Sequence, residues 1–208
     1  MLINKILLFT VSACPLGRSM RTVLAELKEH FPDIMYQTYY VDVDIAQTNH
    51  YRIKKNPTTL LVGEDDQELY RLEGFRETEE FLNIIDGISN QVRISIVPLE
   101  ENKETIEKYM IYLLDKDTLV AVEANYKNMT SVKTPRITLI NLLLNANIEG
   151  LENPFPPNTV LELVQFIGNK AYITFKFPIE VKEQDLIKMK LSIEKSLSPY
   201  GIDEVDIK

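Results

Sequence analysis

The sequence predicts two domains: an α/β domain with a mixed sheet in the order βαβαββα, then an α+β domain. Three observations lead there. A chain of 208 residues exceeds the usual single-domain size of about 100 to 150 residues. Its first half alternates short apolar, Tyr- and Val-rich runs with helix-period stripes, and its second half opens with a new rhythm after Gly87 to Gln91. We therefore place a first domain at residues 1–90, a linker or extra strand at 91–104, and a second domain at 105–208.

In the first half, Lys5 to Val11 reads as a strand. Met20, Val23, Leu24, Leu27 and Phe31 then recur at the spacing of a helix with one buried face, which Phe31-Pro32-Asp33 stops. Met35 to Val43 reads as a second strand, followed by a short helix from Asp44 to about Ile53. Thr59 to Gly63 and Leu69 to Gly74 flank a polar turn and form a hairpin. Thr78 is placed to cap a helix with Phe81, Ile84, Ile85 and Ile88 on its buried side. One crossover and one hairpin in the same sheet require both parallel and antiparallel pairs.

In the second half, strands are expected at Ile94 to Val97, Tyr109 to Leu114 and Leu119 to Ala124, and a polar loop at Asn125 to Lys133. Thr134-Pro135 is a helix start, with Thr as N-cap and Pro where its missing N–H is harmless. Ile137, Ile140, Leu143 and Leu144 are that helix's buried face. A loop from Asn145 to Asn158 leads to two strands around Gly168-Asn169, a two-residue hairpin signal. A last helix carries Leu186, Met189, Ile193 and Leu197, and Glu204 to Ile207 is an edge strand.

Composition excludes several functions. The net charge of −8 divides evenly, with 10 basic and 14 acidic side chains in residues 1–93, so neither half is a basic module and no nucleic-acid partner is expected. One cysteine excludes a disulfide framework and fits a reducing compartment. No apolar stretch approaches the roughly 20 residues of a membrane span. His30 and His50 lack ligand partners at metal spacing, and Glu64-Asp65-Asp66 lacks the glycine and terminal glutamate of a calcium loop, so neither metal nor cofactor is expected. There is no phosphate-binding glycine loop and no G-x-S-x-G elbow.

Cys14 is the chemical centre. It lies between the first strand and the first helix in Ser12-Ala13-Cys14-Pro15-Leu16-Gly17-Arg18, where Gly17 stands in place of the second cysteine of a C-x-x-C motif. Val11-Ser12-Ala13-Cys14 also resembles a lipobox, which gives a second reading of the N-terminus as a lipoprotein signal with Cys14 as the anchor. The charged region is a single lysine and cleavage would remove the first strand, so the expected location is cytoplasmic, with no membrane contact unless Cys14 is lipidated.

The strand before Cys14, Arg18 beyond the turn, Tyr51-Arg52-Ile53 through Asn56-Pro57-Thr58-Thr59-Leu60-Leu61, and Glu73-Gly74-Phe75 together resemble the thioredoxin fold over residues 1 to about 88. The resemblance implies a cis proline at Pro57 facing Cys14, with Arg18 in support, and a groove at Cys14 and Pro57, bounded by Asn56 and Thr58, that receives a protein partner or a small thiol. It also implies departures. Gly17 replaces the resolving cysteine, Leu8 the family's buried acid and Ala13 its usual tryptophan, which excludes a general disulfide reductase. Residues 105 to 208 resemble the GerMN domain of bacterial spore germination and sporulation proteins. The resemblance rests on Tyr112 to Asp117, Thr134-Pro135-Arg136, Asn145 to Leu151, Phe155 to Leu161 and Gly168 to Ile173. That family contributes no catalytic set, and its members are usually exported. Asn158 stands where it has glycine, and asparagine also tolerates the left-handed region.

Two functions are carried forward. The first is a degenerate two-domain scaffold acting by protein binding or assembly, related to sporulation or the envelope, and not an enzyme. The second is a monothiol redox protein forming mixed disulfides through Cys14, whose thiolate a helix N-terminus would favour. Phe155-Pro156-Pro157 is a further candidate for binding, as a Pro-rich loop presenting an aromatic ring, with burial of Phe155 in its own core as the alternative.

Overall fold

The structure is a computed structural model and describes residues 3–89 and 104–208. It divides into two compact units, Met1–Glu104 with Met129–Lys133, and Thr105–Asn128 with Thr134–Lys208.

In the first unit the order is β1 (Lys5–Thr10), α1 (Pro15–His30), β2 (Met35–Tyr40), α2 (Ile45–His50), β3 (Thr58–Val62), β4 (Glu68–Glu73) and α3 (Thr78–Ser89). The sheet runs β2-β1-β3-β4. β1 pairs parallel with β2 and antiparallel with β3, and β3 pairs antiparallel with β4. β1 is thus a central strand, which explains why Ile6 to Phe9 read as a continuous apolar run and are all buried. Alternate residues serve opposite faces. Ile6 and Leu8 join Met20, Val23, Leu24 and Leu27 of α1 and Phe81, Ile85 and Ile88 of α3 in one core. Phe9, on the other face, stacks on Tyr39 with ring centroids 5.1 Å apart and meets Tyr51 at 5.6 Å. Each fully buried large apolar side chain contributes about 1.5–3 kcal/mol.

Local details differ from expectation. β2 stops at Tyr40 because Asp44 Oδ2 accepts from the Tyr40 N–H and the Val43 N–H turns back to the Tyr40 carbonyl. α2 ends at His50, with Arg52 at φ 50°. Thr78 lies inside α3, and its hydroxyl binds the Glu26 carboxylate on α1.

The second unit contains β5 (Thr105–Asp115), β6 (Thr118–Asn128), α4 (Pro135–Leu144), β7 (Val160–Ile167), β8 (Lys170–Lys176), α5 (Glu183–Leu197) and β9 (Glu204–Ile207). β5 and β6, each 11 residues long, form an antiparallel hairpin, and β7, β8 and β9 form a sheet in that order, with β9 parallel to β8. Residues 125–128, expected in a loop, are strand. Asn125, Tyr126 and Lys127 pair with Lys108, Glu107 and Ile106, so ladder pairing overrides their polarity. The expected strand at Ile94 to Val97 and the boundary segment up to residue 103 lie outside the described residues.

Thr134 is the N-cap of α4, but its side chain makes no capping bond and meets the Thr138 hydroxyl at 3.4 Å. On α5, Ser192 Oγ donates to the Tyr112 carbonyl at 2.5 Å, and Ser196 Oγ accepts from the Tyr112 N–H at 3.1 Å. The two serines are fully buried and take up both backbone groups of one β5 residue. Asn158 has φ 66° and Gly168 φ 59°, the left-handed turns for which their residue types are suited.

Candidate functional site around Cys14

Cys14 is the N-cap of α1, and Pro15 follows at its first position, where an N–H would have no helical partner. The Cys14 N–H donates to the Val11 carbonyl at 3.1 Å, and its own carbonyl accepts the first helical bond from the Arg18 N–H at 3.2 Å. The side chain does not cap the helix. Cys14 is only 7% exposed, whereas Leu16, two residues on, is 50% exposed.

The peptide bond between Asn56 and Pro57 is cis, as the resemblance implies. The Asn56 side chain touches the cysteine. Asn56 Oδ1 accepts from the Val11 N–H at 2.9 Å and from the Thr10 hydroxyl at 3.1 Å, and Asn56 Nδ2 donates to Cys14 Sγ at 3.3 Å. The orientation of this amide follows from chemistry: a backbone N–H only donates, so the atom facing Val11 is the oxygen and the one facing sulfur is the nitrogen. One amide thus ties the end of β1, the cysteine turn and the entry to β3. A second clamp holds the same turn, since Asp42 accepts from the Ser12 N–H at 3.2 Å and the Ser12 hydroxyl at 2.7 Å.

α1 approaches β1 at Gly17, where the resemblance implies a missing second cysteine. A Cβ at Gly17 would stand 1.9 Å from Thr10 Oγ1 and 2.7 Å from Thr10 Cβ. Glycine inside a helix is unfavourable by about 1 kcal/mol against alanine, so it needs a packing reason, and Thr10 is that reason. Leu8 is wholly buried in the apolar core. Opposite it on β3 stands Thr59, also fully buried, whose hydroxyl has no hydrogen-bond partner among the described residues.

The expected site residues are placed as follows. Cys14 and Asn56 are in contact, with Pro57 next to Asn56 and buried. Arg18 is exposed one helical turn beyond Cys14. Thr58 is turned inward: it is fully buried and its hydroxyl donates to the Lys55 carbonyl at 2.8 Å, so its side chain serves the turn. Phe155 is likewise corrected as a surface group. It is 3% exposed, its ring meets Phe175 edge-on at 5.3 Å, and large aromatic area of this kind is best placed in a core. Pro156 is half-buried and Pro157 exposed beside it.

Sequence reasoning named Asn56 as a neighbour of the proline but missed that it reaches the sulfur. It also missed Thr10, Asp42 and Thr59. The one available signal was Gly17 within a helical stripe.

Among the described residues, no group of three or more His, Cys, Asp or Glu is placed to hold a metal ion, and no helix is long and apolar enough to cross a membrane.

No protein-family model matches the chain, and no curated relative does. Solved structures similar to part of it include three thioredoxins. Mitochondrial thioredoxin 3 from Saccharomyces cerevisiae in its oxidised form is 23% identical, over 39% of this chain and 76% of that one, with a TM-score of 0.36. Chloroplastic thioredoxin z is 21% identical, over 43% and 80%, with a TM-score of 0.38. Fasciola hepatica thioredoxin is 21% identical, over 39% and 78%, with a TM-score of 0.36. By its strand order, its parallel crossover and the cis proline entering β3, the first unit is a thioredoxin-like α/β domain, and a further sheet-rich region follows it.

Proposed function

We propose that this chain is a thioredoxin-like binding module that has given up dithiol chemistry, joined to a GerMN-like module, and that it acts by capturing a protein partner at the surface around Cys14 and Pro57. The single observation that supports this reading best is the close approach of Gly17 to Thr10, which leaves no room for a second thiol at position 17. The low exposure of Cys14 agrees with a sulfur that is part of the scaffold. For the second module, support comes from the GerMN-like passages: Tyr112 to Asp117 ends β5 at its hairpin turn, and Thr134-Pro135 opens α4.

A second reading is favoured by the Asn56 Nδ2–H that faces Cys14 Sγ, a donor placed as a sulfur nucleophile would use it. Here Cys14 exchanges with a disulfide to form a mixed disulfide, releasing one thiol.

Capture from a host extract with the wild type and Cys14→Ser separates the two. Equal capture by both proteins in oxidising and reducing buffer supports the binding module, whereas capture lost by Cys14→Ser only in oxidising buffer supports exchange. We place the protein in the cytoplasm, since cleavage before Cys14 would remove β1, a strand with a neighbour on each side. Intact mass of the native protein tests this: a species beginning at a lipidated Cys14 would overturn it.

A further inference from the structure

We infer that the free edge of β6 is an interaction surface whose occupant is β6 of a second copy of this chain, the two strands running antiparallel about a two-fold axis so that two hairpins join into one sheet. The pairing needs neither Cys14 nor Pro57 and stands apart from the capture reading above.

The direction of the backbone carries the argument. In an antiparallel pair, residues that do not bond to each other across the ladder direct both their N–H and C=O groups to the outer edges. Tyr112 and Leu114 of β5 are such residues, because Tyr112 bonds to Ser192 and Ser196 and Leu114 exchanges both of its bonds with Glu152. Opposite them on β6 stand Ala121 and Leu119, so these two, and by alternation Glu123 and Asn125, direct their groups away from β5. The hairpin ends at β6, and among the described residues nothing meets those groups.

The other edges of this unit are covered or blunted. β5 is met by the two serines of α5 and by Glu152, β7 carries a register shift between Leu161 and Leu163, and β9 is only 4 residues long. β6 has none of the devices that keep an edge single: it is 11 residues long, holds no proline and keeps an unbroken register against β5. It also leaves apolar surface open. Val120, Val122 and Ala124 are half-buried, although Leu113, Ile111 and Tyr109 opposite them are fully buried, and one more strand beside β6 would cover them.

The edge is complementary to itself. With Val122 on the axis, Val122 faces Val122 and Val120 faces Ala124 on one side of the joined sheet. On the other side Ala121 faces Glu123 and Leu119 faces Asn125, each of these outward-directed residues exchanging both backbone bonds. No like charges are opposed, whereas a slip that centred Glu123 would set two carboxylates against each other. The same register brings Lys127 of one copy to Asp117 of the other at each end of the seam, and the Asp117 side chain is 88% exposed beside Lys188. A two-fold pairing closes on itself, so assembly stops at the dimer.

The test is sedimentation of the full chain across a hundredfold range of concentration. The wild type is expected to pass from one chain to two. Ala121→Pro removes an outward N–H and sets a ring on the edge without taking a bond from β5, and it is expected to weaken the dimer at least tenfold. A mass of one chain at every concentration, or a dimer indifferent to Ala121→Pro, would overturn the proposal. Should Ala121→Pro not fold, oxidative crosslinking decides. Val122→Cys in a Cys14→Ser background is expected to form covalent dimer at least tenfold faster than Val120→Cys in the same background, since only position 122 meets itself within disulfide reach. Equal rates at the two positions would overturn the pairing.

Discussion

Asn56 and Cys14 are joined by a hydrogen bond from Nδ2 to Sγ of 3.3 Å, and the same amide accepts the Val11 N–H through its oxygen. The residue before the proline therefore controls both the shape of the cysteine turn and the surroundings of the sulfur.

This division of labour is separable by mutation. Asn56→Ala leaves the buried Thr10 hydroxyl and the Val11 N–H without that acceptor and is expected to cost about 1–3 kcal/mol in urea unfolding. Asn56→Asp keeps the acceptor but faces sulfur with a carboxylate. It is expected to slow iodoacetamide alkylation of Cys14 severalfold at neutral pH, with a smaller loss of stability than alanine. Wild-type alkylation in Asn56→Asp would mean the amide nitrogen does not act on the sulfur.

Thr59 carries the opposite kind of feature, a buried hydroxyl with no bonding partner among the described residues. Valine has the same shape and the same preference for a strand. Thr59→Val is expected to stabilise the first unit by about 1 kcal/mol, seen as a higher denaturant midpoint at unchanged slope. A lower midpoint would show that the hydroxyl is solvated in solution.

Tyr109 in the second unit is 3% exposed and donates to the Glu107 carboxylate, which also accepts from Asn128 Nδ2 at 3.1 Å. Burial first, then the bond to Glu107 and its negative charge, raise the phenol above its ordinary value of 10.0. A raised pKa means that the unfolded chain loses this proton first. The stabilising contribution is therefore whole below pH of about 10 and is lost as pH rises beyond it. Thermal unfolding followed from pH 8 upward is expected to show a steeper alkaline decline in the wild type than in Tyr109→Phe. Parallel declines would assign the effect to other groups.

Phe155 tests the placement of the Pro-rich loop. As a core ring packed on Phe175, its truncation to alanine is expected to cost about 3–5 kcal/mol and to lower the unfolding midpoint of the second unit. A change below about 1 kcal/mol would return Phe155 to the surface, since substitutions away from the core usually stay within that range.

Much of the architecture was legible because burial leaves a periodic trace. The helix-period stripe of α1 and the unbroken apolar run of β1 announced one half-buried and one fully buried element; β1 ends within a residue of expectation, and α1 buries Met20, Val23, Leu24 and Leu27 of the stripe. Where polar residues pair in a ladder, as Asn125 to Asn128 do, no such trace exists, and the strand was read as a loop. The proline at position 57 and the cysteine at position 14 could be named from residue type and neighbours. The reach of Asn56 across 42 positions to the sulfur could not, because a side-chain hydrogen bond between distant segments leaves no pattern along the chain.

By itself the sequence determined the order of elements in the first unit and the presence of a single thiol at a strand-to-helix turn with glycine three residues on, since these depend on local composition and spacing. Only the tertiary structure decided that position 17 is closed, that Thr58 and Phe155 face inward, and that an amide nitrogen meets the sulfur. Those are matters of how closely two segments approach, and a one-dimensional pattern of apolar and polar residues specifies which faces are buried without specifying the distance between them.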